Sequence, residues 1–376
     1  MAGLYLHIPF CKKACTYCNF HFRTSLGRKT EMVAALQKEI HTRAPELQGQ
    51  PLQTIYFGGG TPSILSTEEI KRLLDAVFSA YSADHVQEIT LEANPDDLSP
   101  SFLRELRHTP VNRFSIGIQS FREEDLQFMA RAHNAAEAEA AIKRAQDSGF
   151  ENLTVDLIYG TPGLTDAAWK SNLERIREYG VPHLSAYALT VEEGTALDHF
   201  IRKGKAQPVD AEQSATQSLM LQDWAAQNGY EAYEISNFAR PGHRAVHNSS
   251  YWSGAPYLGI GPSAHSYDGA RTRRWNVASN SLYLQGMEVD GQPPHERETL
   301  TDRDLYNEYV MTALRRIEGI DLETVAQRWG ADAVQNIRGI AEKYVASGQM
   351  VAEDQRIALT PSGRLFADGI AAEMFA

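Results

Sequence analysis

Three cysteines, the only ones in 376 residues, fall in one eight-residue window, Cys11-Lys12-Lys13-Ala14-Cys15-Thr16-Tyr17-Cys18, with the spacing C-x3-C-x2-C. An odd number cannot all pair as disulfides, so clustered thiols point to ligation or redox chemistry. A short loop wrapped around an iron–sulfur cubane presents three thiolates to three irons and leaves the fourth iron without a protein ligand. An amino-carboxylate chelate, such as the methionine part of S-adenosylmethionine, can take that place. Zinc is the alternative, but a structural zinc site takes four ligands, and His7 or His21 would have to complete the shell.

Other groups fit for chemistry stand where short β-rich runs end. The runs are YLHI near Tyr5, TIYF ending at Phe57, ITLE ending at Glu92, FSIGI before Gln119, TVDLI around Asp156 and HLSAY ending at Tyr187. Amphipathic stretches lie between them at Glu31–Arg43, Thr67–Tyr81, Ala135–Ser148 and Asp166–Tyr179. That alternation predicts a parallel βα sheet, either a partial barrel or an open doubly wound sheet. Ser66 followed by Glu69 predicts a capped helix start. In such folds function gathers at the carboxyl ends of the strands. Here those ends carry the cysteines, Gly58-Gly59-Gly60-Thr61-Pro62, Glu92, Gln119 and Asp156 on one rim.

Composition narrows the partners. With 43% hydrophobic residues the chain can bury a large core. Its 36 basic and 48 acidic residues leave a formal charge of -12, and no Lys/Arg block can track a phosphate backbone. Nucleic acid is therefore not an expected partner. The amino terminus lacks the basic region and long apolar stretch of a signal peptide, and no run reaches the ~18 apolar residues of a membrane span, so a cytoplasmic protein is expected.

A helical pattern covers Ala211–Asn228, and then EISNFARPGHRAVHNSSYWSGAPYLGIGPSAHSY breaks all periodicity. A long loop with this many aromatics reads as ordered and functional. From Thr301 helices resume, followed by MVAED and RIALTPSG, the pattern of a small helical or winged-helix unit. Its 12 acidic against 8 basic residues make DNA an improbable ligand there. The reading divides the chain into a core (1–235), an irregular connecting segment (236–300) and a C-terminal domain (301–376).

HIPFC, the three cysteines with Tyr17 before the last, GGGTP and the strand-end residues resemble the radical-SAM superfamily, specifically its oxygen-independent coproporphyrinogen oxidase-like group. The resemblance covers nearly the whole chain. It implies an α/β fold, a partial (β/α)6 barrel with a small C-terminal helical, winged-helix-like domain. It also implies a [4Fe-4S] cluster on Cys11, Cys15 and Cys18. Tyr5 and Tyr17 would then flank the cluster and the adenosyl group, while Gly59, Gly60 and Thr61 meet the methionine end. Glu92 would accept the ribose hydroxyls. Gln119, Arg131 and Asp156 match residues that hold a second S-adenosylmethionine in the oxidising relatives, and here they are equally readable as a polar network lining the barrel. His133 reads as structural.

Two departures separate the chain from the oxidising relatives. Those carry a further cysteine two residues after the third, where this chain has Phe20, and a longer segment ahead of the motif. Both point to the haem-chaperone branch of the group. His247-Asn248-Ser249-Ser250-Tyr251-Trp252 matches the H-N-x-x-Y-W pattern that the branch is associated with for haem binding, making His247 the expected haem ligand, with His243 and His265 as rivals. The resemblance implies haem as cargo, haem-acceptor proteins, including membrane respiratory proteins, as partners, and leaves a homodimer open. Coproporphyrinogen III oxidation and radical-SAM chemistry on an unrelated substrate are the rival functions.

Overall fold

Leu4, Leu6 and Ile8 alternate along the first strand and are almost wholly buried, with Tyr5 and His7 between them pointing to the other side. The same alternation of apolar with polar or small residues recurs in the next five strands, which extend its sheet in parallel. The structure, a computed structural model, describes residues 1–376. In chain order its first elements are β1 (Ala2–Ile8), α1 (Lys29–Arg43), β2 (Leu52–Gly59), α2 (Thr67–Ala80), β3 (Glu88–Ala93), α3 (Pro100–Leu106), β4 (Arg113–Gln119) and α4 (Glu123–Phe128). They continue with α5 (Ala135–Asp147), β5 (Leu153–Tyr159), α6 (Asp166–Glu178), β6 (His183–Ala188) and α7 (Ala196–Arg202).

Strands β1 to β6 pair in sequence order, all parallel, and β6 does not return to pair with β1, so this is a partial barrel. α2 starts on the predicted capping box, with Ser66 Oγ accepting from Glu69 N–H at 3.2 Å and Glu69 accepting from Ser66 N–H at 2.8 Å. The side of the sheet away from the helices is polar. Arg113 donates to Thr90 at 3.5 Å and to Thr154, which meets His183 at 3.0 Å. Groups of this kind survive burial because each finds a partner on the next strand.

Beyond residue 210 the chain departs from the expected divisions. It forms two compact units, Met1–Asp210 with Ala245–Thr299, and Ala211–Arg244 with Leu300–Ala376. In the second unit α8 (Ala211–Gln227), β7 (Glu231–Ala232) and β8 (Asn237–Ala239) join the C-terminal elements. The reason is local bonding: Ile317 N–H donates to Tyr233 O at 3.0 Å, Arg364 to Ala232 O at 2.9 Å, and Ile235 packs on the C-terminal core.

The stretch read as irregular is built of short elements. α9 (Val246–Trp252) is followed by β9 (Tyr257–Ile260), β10 (His265–Tyr267), β11 (Thr272–Asn276), α10 (Asn280–Val289) and β12 (His295–Thr299). β9 pairs in parallel with the free edge of β1, and β10 to β12 extend the sheet antiparallel. Pieces of three to five residues are too short for a period to show in sequence.

The second unit ends with α11 (Asp302–Leu314), β13 (Ile320–Asp321), α12 (Leu322–Trp329), α13 (Ala331–Ala346), β14 (Met350–Glu353), β15 (Arg356–Leu359), α14 (Pro361–Arg364) and α15 (Ala367–Glu373). Its three strands are ordered β13-β15-β14, beside helices, in the winged-helix manner. No helix is long and apolar enough to cross a membrane.

Candidate functional site

The cysteines occupy the loop that leaves β1. Cys11 N–H donates to Arg23 O at 3.1 Å and Arg23 N–H to Pro9 O at 2.9 Å, which closes the loop on itself. Thr16 ties its middle to the turn after α4, through Met129 O and Phe128 O, both at 3.1 Å. The two lysines between the first cysteines anchor it further: Lys12 pairs with Asp96 at 2.8 Å and with Asp97, and Lys13 donates to Arg131 O at 3.0 Å. These anchors hold the thiols before any metal arrives.

Burial pushes the Cys11 thiol up to about 11 and raises Cys18 as well, so both thiols are neutral at pH 7 until a metal displaces the proton. Two donors already aim at sulfur. Thr61 Oγ1 reaches Cys11 Sγ at 3.3 Å, and the Arg131 guanidinium reaches Cys15 Sγ at 3.3 Å. Such donors stabilise thiolate charge and tune a cluster. No group of three or more His, Cys, Asp or Glu side chains has the spacing of a single-ion site. A cubane does not ask for that spacing, because each thiolate binds a different iron.

Gly58, Gly59 and Gly60 are dictated by space. A Cβ at Gly60 would meet Phe10 O at 2.6 Å and Ile8 O at 2.8 Å, both backbone atoms of the strand entering the cysteine loop. The close approach lets Gly60 N–H donate to Ile8 O at 2.9 Å and Thr61 N–H to Phe10 O at 2.7 Å. Gly59 adopts φ +107° and donates to Glu92 at 3.2 Å. The amide hydrogens of Gly59 and Gly60 are therefore spent within the protein, and the Thr61 hydroxyl is engaged with Cys11 and Asn94, leaving the loop's shape as its offering to a ligand.

Glu92 also accepts from Tyr56 Oη at 2.8 Å, and burial lifts its carboxyl to about 7. Asp156 accepts from Ser115 Oγ at 3.2 Å on each oxygen and is lifted by burial to about 6. Tyr5 stacks on Tyr56 with centroids 6.0 Å apart. Gln119 sits in the left-handed region at φ +66°, where β4 breaks register with β5. An irregular, strained strand end beside a rim of polar groups is where function tends to store strain. Gly117 leaves the room: a Cβ there would stand 3.0 Å from Gln119 Nε2 and 3.2 Å from Arg131 Nη2. Arg131 holds Gly117 O at 2.8 Å and Asn94 Oδ1 at 2.7 Å, while its shielded Nε has no partner. Tyr17 lies against that guanidinium, so contacts join Tyr17, Gln119, Arg131, Thr61, Cys11 and Cys15 through Asn94 and Gly117, and join Tyr5, Gly59 and Glu92 through Tyr56, while Asp156 stands in mid-strand on β5 beside Ser115.

Asn94 escaped the sequence reading. It donates from Nδ2 to Thr61 Oγ1 at 3.3 Å while receiving Arg131, so one amide links the donors to two of the thiols. Its only signal is its place just past the end of β3. His133 is structural as read, with Nε2 on Ile118 O at 3.0 Å.

His247 lies elsewhere. It is 1% exposed, with Nδ1 on Thr54 Oγ1 at 2.7 Å and Nε2 on Tyr251 Oη at 2.8 Å. Glu88 receives the amides of Val246 and His247 at 2.8 and 3.0 Å, and the imidazole stacks on Tyr56 at 4.8 Å. Burial, with Arg113 nearby, lowers it to about 3. This is an imidazole held neutral with both nitrogens in use.

The profile of the Radical SAM superfamily matches residues 5–176, and that of the HemN C-terminal domain matches residues 300–366. The solved structure of coproporphyrinogen III oxidase, HemN, from Escherichia coli superposes with a TM-score of 0.85 at 24% identity, covering 100% of this chain and 90% of that one, which shows the shared fold. Among curated relatives, the heme chaperone HemW of Mycobacterium tuberculosis is 36% identical over 98% of this chain and 93% of its own length. HemW of Bacillus subtilis is 32% identical over 98% of both, and that of Escherichia coli is 31% identical over 98% and 96%. A likeness of this extent, end to end, joined to the cysteine loop and its rim, means that the chain belongs to the HemW family within the radical SAM superfamily.

Proposed function

We propose that this protein is a haem chaperone, which binds haem in the cytoplasm and hands it to acceptor proteins. The observation that carries the reading is the near full-length likeness to heme chaperones HemW. A [4Fe-4S] cluster would be held by Cys11, Cys15 and Cys18 and S-adenosylmethionine by Tyr5, Tyr17, Gly59, Gly60, Thr61 and Glu92, with Gln119, Arg131 and Asp156 either holding a second S-adenosylmethionine or forming a polar network that lines the barrel. Two donors aimed at sulfur and one unpartnered guanidinium nitrogen support that assignment. When bound, the cluster supplies an electron-transfer centre with one iron open to the cofactor. Around it the chain's own groups position and shield: Arg131 and Thr61 hold the sulfurs, Glu92 orders Tyr56 and Gly59, and Asp156 orders Ser115. His247 fits the haem role only if Tyr251 releases its Nε2.

The test is an anaerobic titration of the reconstituted full chain with haem, beside a coproporphyrinogen III oxidation assay on the same sample. Stoichiometric haem binding without product is expected. Protoporphyrinogen formation with no haem bound would overturn the chaperone reading in favour of the oxidase.

A further inference from the structure

Beside the cysteine loop lies a cavity of about 400 Å3, within the size range of small-molecule sites. Phe20, two residues past Cys18, stands at it 68% exposed, an apolar ring in a place where burial would normally be favoured. Tyr5, Tyr251 and Tyr257 add aromatic walls. Three imidazoles line the same space: His7, His21 and His265.

Their nitrogens differ in what they already hold. His7 is buried, with Nε2 on His21 O at 2.9 Å and Nδ1 near Tyr5 Oη at 3.3 Å. His21 Nε2 meets Asn280 Oδ1 at 2.7 Å. His265 is exposed at the start of β10, stacks on Trp275 at 5.8 Å and makes no side-chain hydrogen bond. Partial burial and the charge of Arg273 hold it below the usual imidazole range, hence neutral at pH 7, as a metal ligand must be.

We propose that this cavity is the haem site and that His265 is the axial ligand to the haem iron, with His247 acting from behind the wall. The assignment rests on the haem-chaperone reading. Its geometry explains His247 and Tyr251 of the H-N-x-x-Y-W motif. Tyr251 faces the cavity, while His247 sits beneath it and fixes its hydroxyl at 2.8 Å, with the rings edge to face at 4.9 Å. His247 is thus a positioning residue, and its loss loosens an aromatic wall without removing the ligand. An exposed ligand at the start of β10 also suits cargo that has to leave.

The experiment titrates the reconstituted full chain with ferric haem, reading the Soret band and the electron paramagnetic resonance of the iron, and repeats it with metal-free protoporphyrin IX. Variants are His265→Ala, His21→Ala, His247→Ala and Tyr251→Phe. In His265→Ala, haem affinity falls at least tenfold and the imidazole-ligated spectrum is lost. Added imidazole restores that spectrum, and metal-free porphyrin binds as in the parent. His247→Ala and Tyr251→Phe keep the parent spectrum and lose affinity for both porphyrins alike. A parent-like spectrum in His265→Ala, with ligation lost in His247→Ala or His21→Ala, would overturn the assignment while leaving the chaperone reading intact. No haem binding by the parent chain would remove the reading on which it rests.

Discussion

Glu92 is a carboxyl whose ionisation falls in the working pH range, because burial lifts it to about 7. Below that pH it is protonated and above it a carboxylate, which accepts hydrogen bonds about twice as strongly as a neutral group. As the proposed ribose acceptor, it should make S-adenosylmethionine bind about fivefold tighter at pH 8 than at pH 6, a gain of about 1 kcal/mol. Equilibrium dialysis with labelled S-adenosylmethionine reads this directly, and Glu92→Gln should show a flatter profile. An equal pH dependence in parent and variant would assign the titration to another group. Glu92 was legible in sequence because an acid at a strand end is conspicuous, and the cysteines because their type is scarce and their spacing contiguous. Asn94 and Tyr56 were not. An asparagine before proline reads as a turn, and Tyr56 reads as one more alternating strand residue, although it is sandwiched between Tyr5 and His247.

Elements explain why the rim holds its shape. The segment after β2 lies so close to the backbone leaving β1 that residue 60 has no space for a Cβ. Gly60→Ala should push the cysteine loop off Ile8 and Phe10, at a cost of about 1–3 kcal/mol, and should lower iron content after reconstitution. Gly339→Ala is the matching control: it lies inside α13 with nothing within 4 Å, so it should stabilise by about 0.5–1 kcal/mol. Thermal unfolding with iron analysis separates the two, and full iron content in Gly60→Ala would mean that the loop does not depend on this contact. The six strands and four amphipathic helices of the barrel were readable to within a few residues, since each is long enough to show its period. α3, α4 and α7, of six or seven residues, and the short strands β9 to β12 were not. The capping box at Ser66 was legible because capping is a contact between near neighbours; the seat of β9 on the edge of β1 is a contact across some 250 residues that no local pattern encodes.

For the molecule as a whole, buried titratable groups set opposing pH dependences. Burial lowers His7 and His133 to about 4 and His247 to about 3, and raises Glu92 to about 7 and Asp156 to about 6. The histidines hold fewer protons in the folded chain than in the unfolded one below pH 6.5, so their contribution is present above that pH and is lost on acidification. The carboxyls hold more protons when folded, so theirs is lost as pH rises through 6 and 7. His21 and His265 are also lowered and Asp125 and Glu234 also raised, so the histidines outnumber the raised carboxyls, and the chain should lose stability on acidification from pH 6.5 to 4.5. His247 alone should account for about 2 kcal/mol of the loss between pH 7 and pH 5, since its folded value lies far below both. Urea unfolding at the two pH values should therefore show a smaller acid loss for His247→Gln than for the parent, by about that amount. If the two chains lose stability equally, His247 takes up its proton within the fold. An imidazole that accepts a proton there has a nitrogen that solvent reaches, and the case for placing the iron on His265 instead would weaken with it.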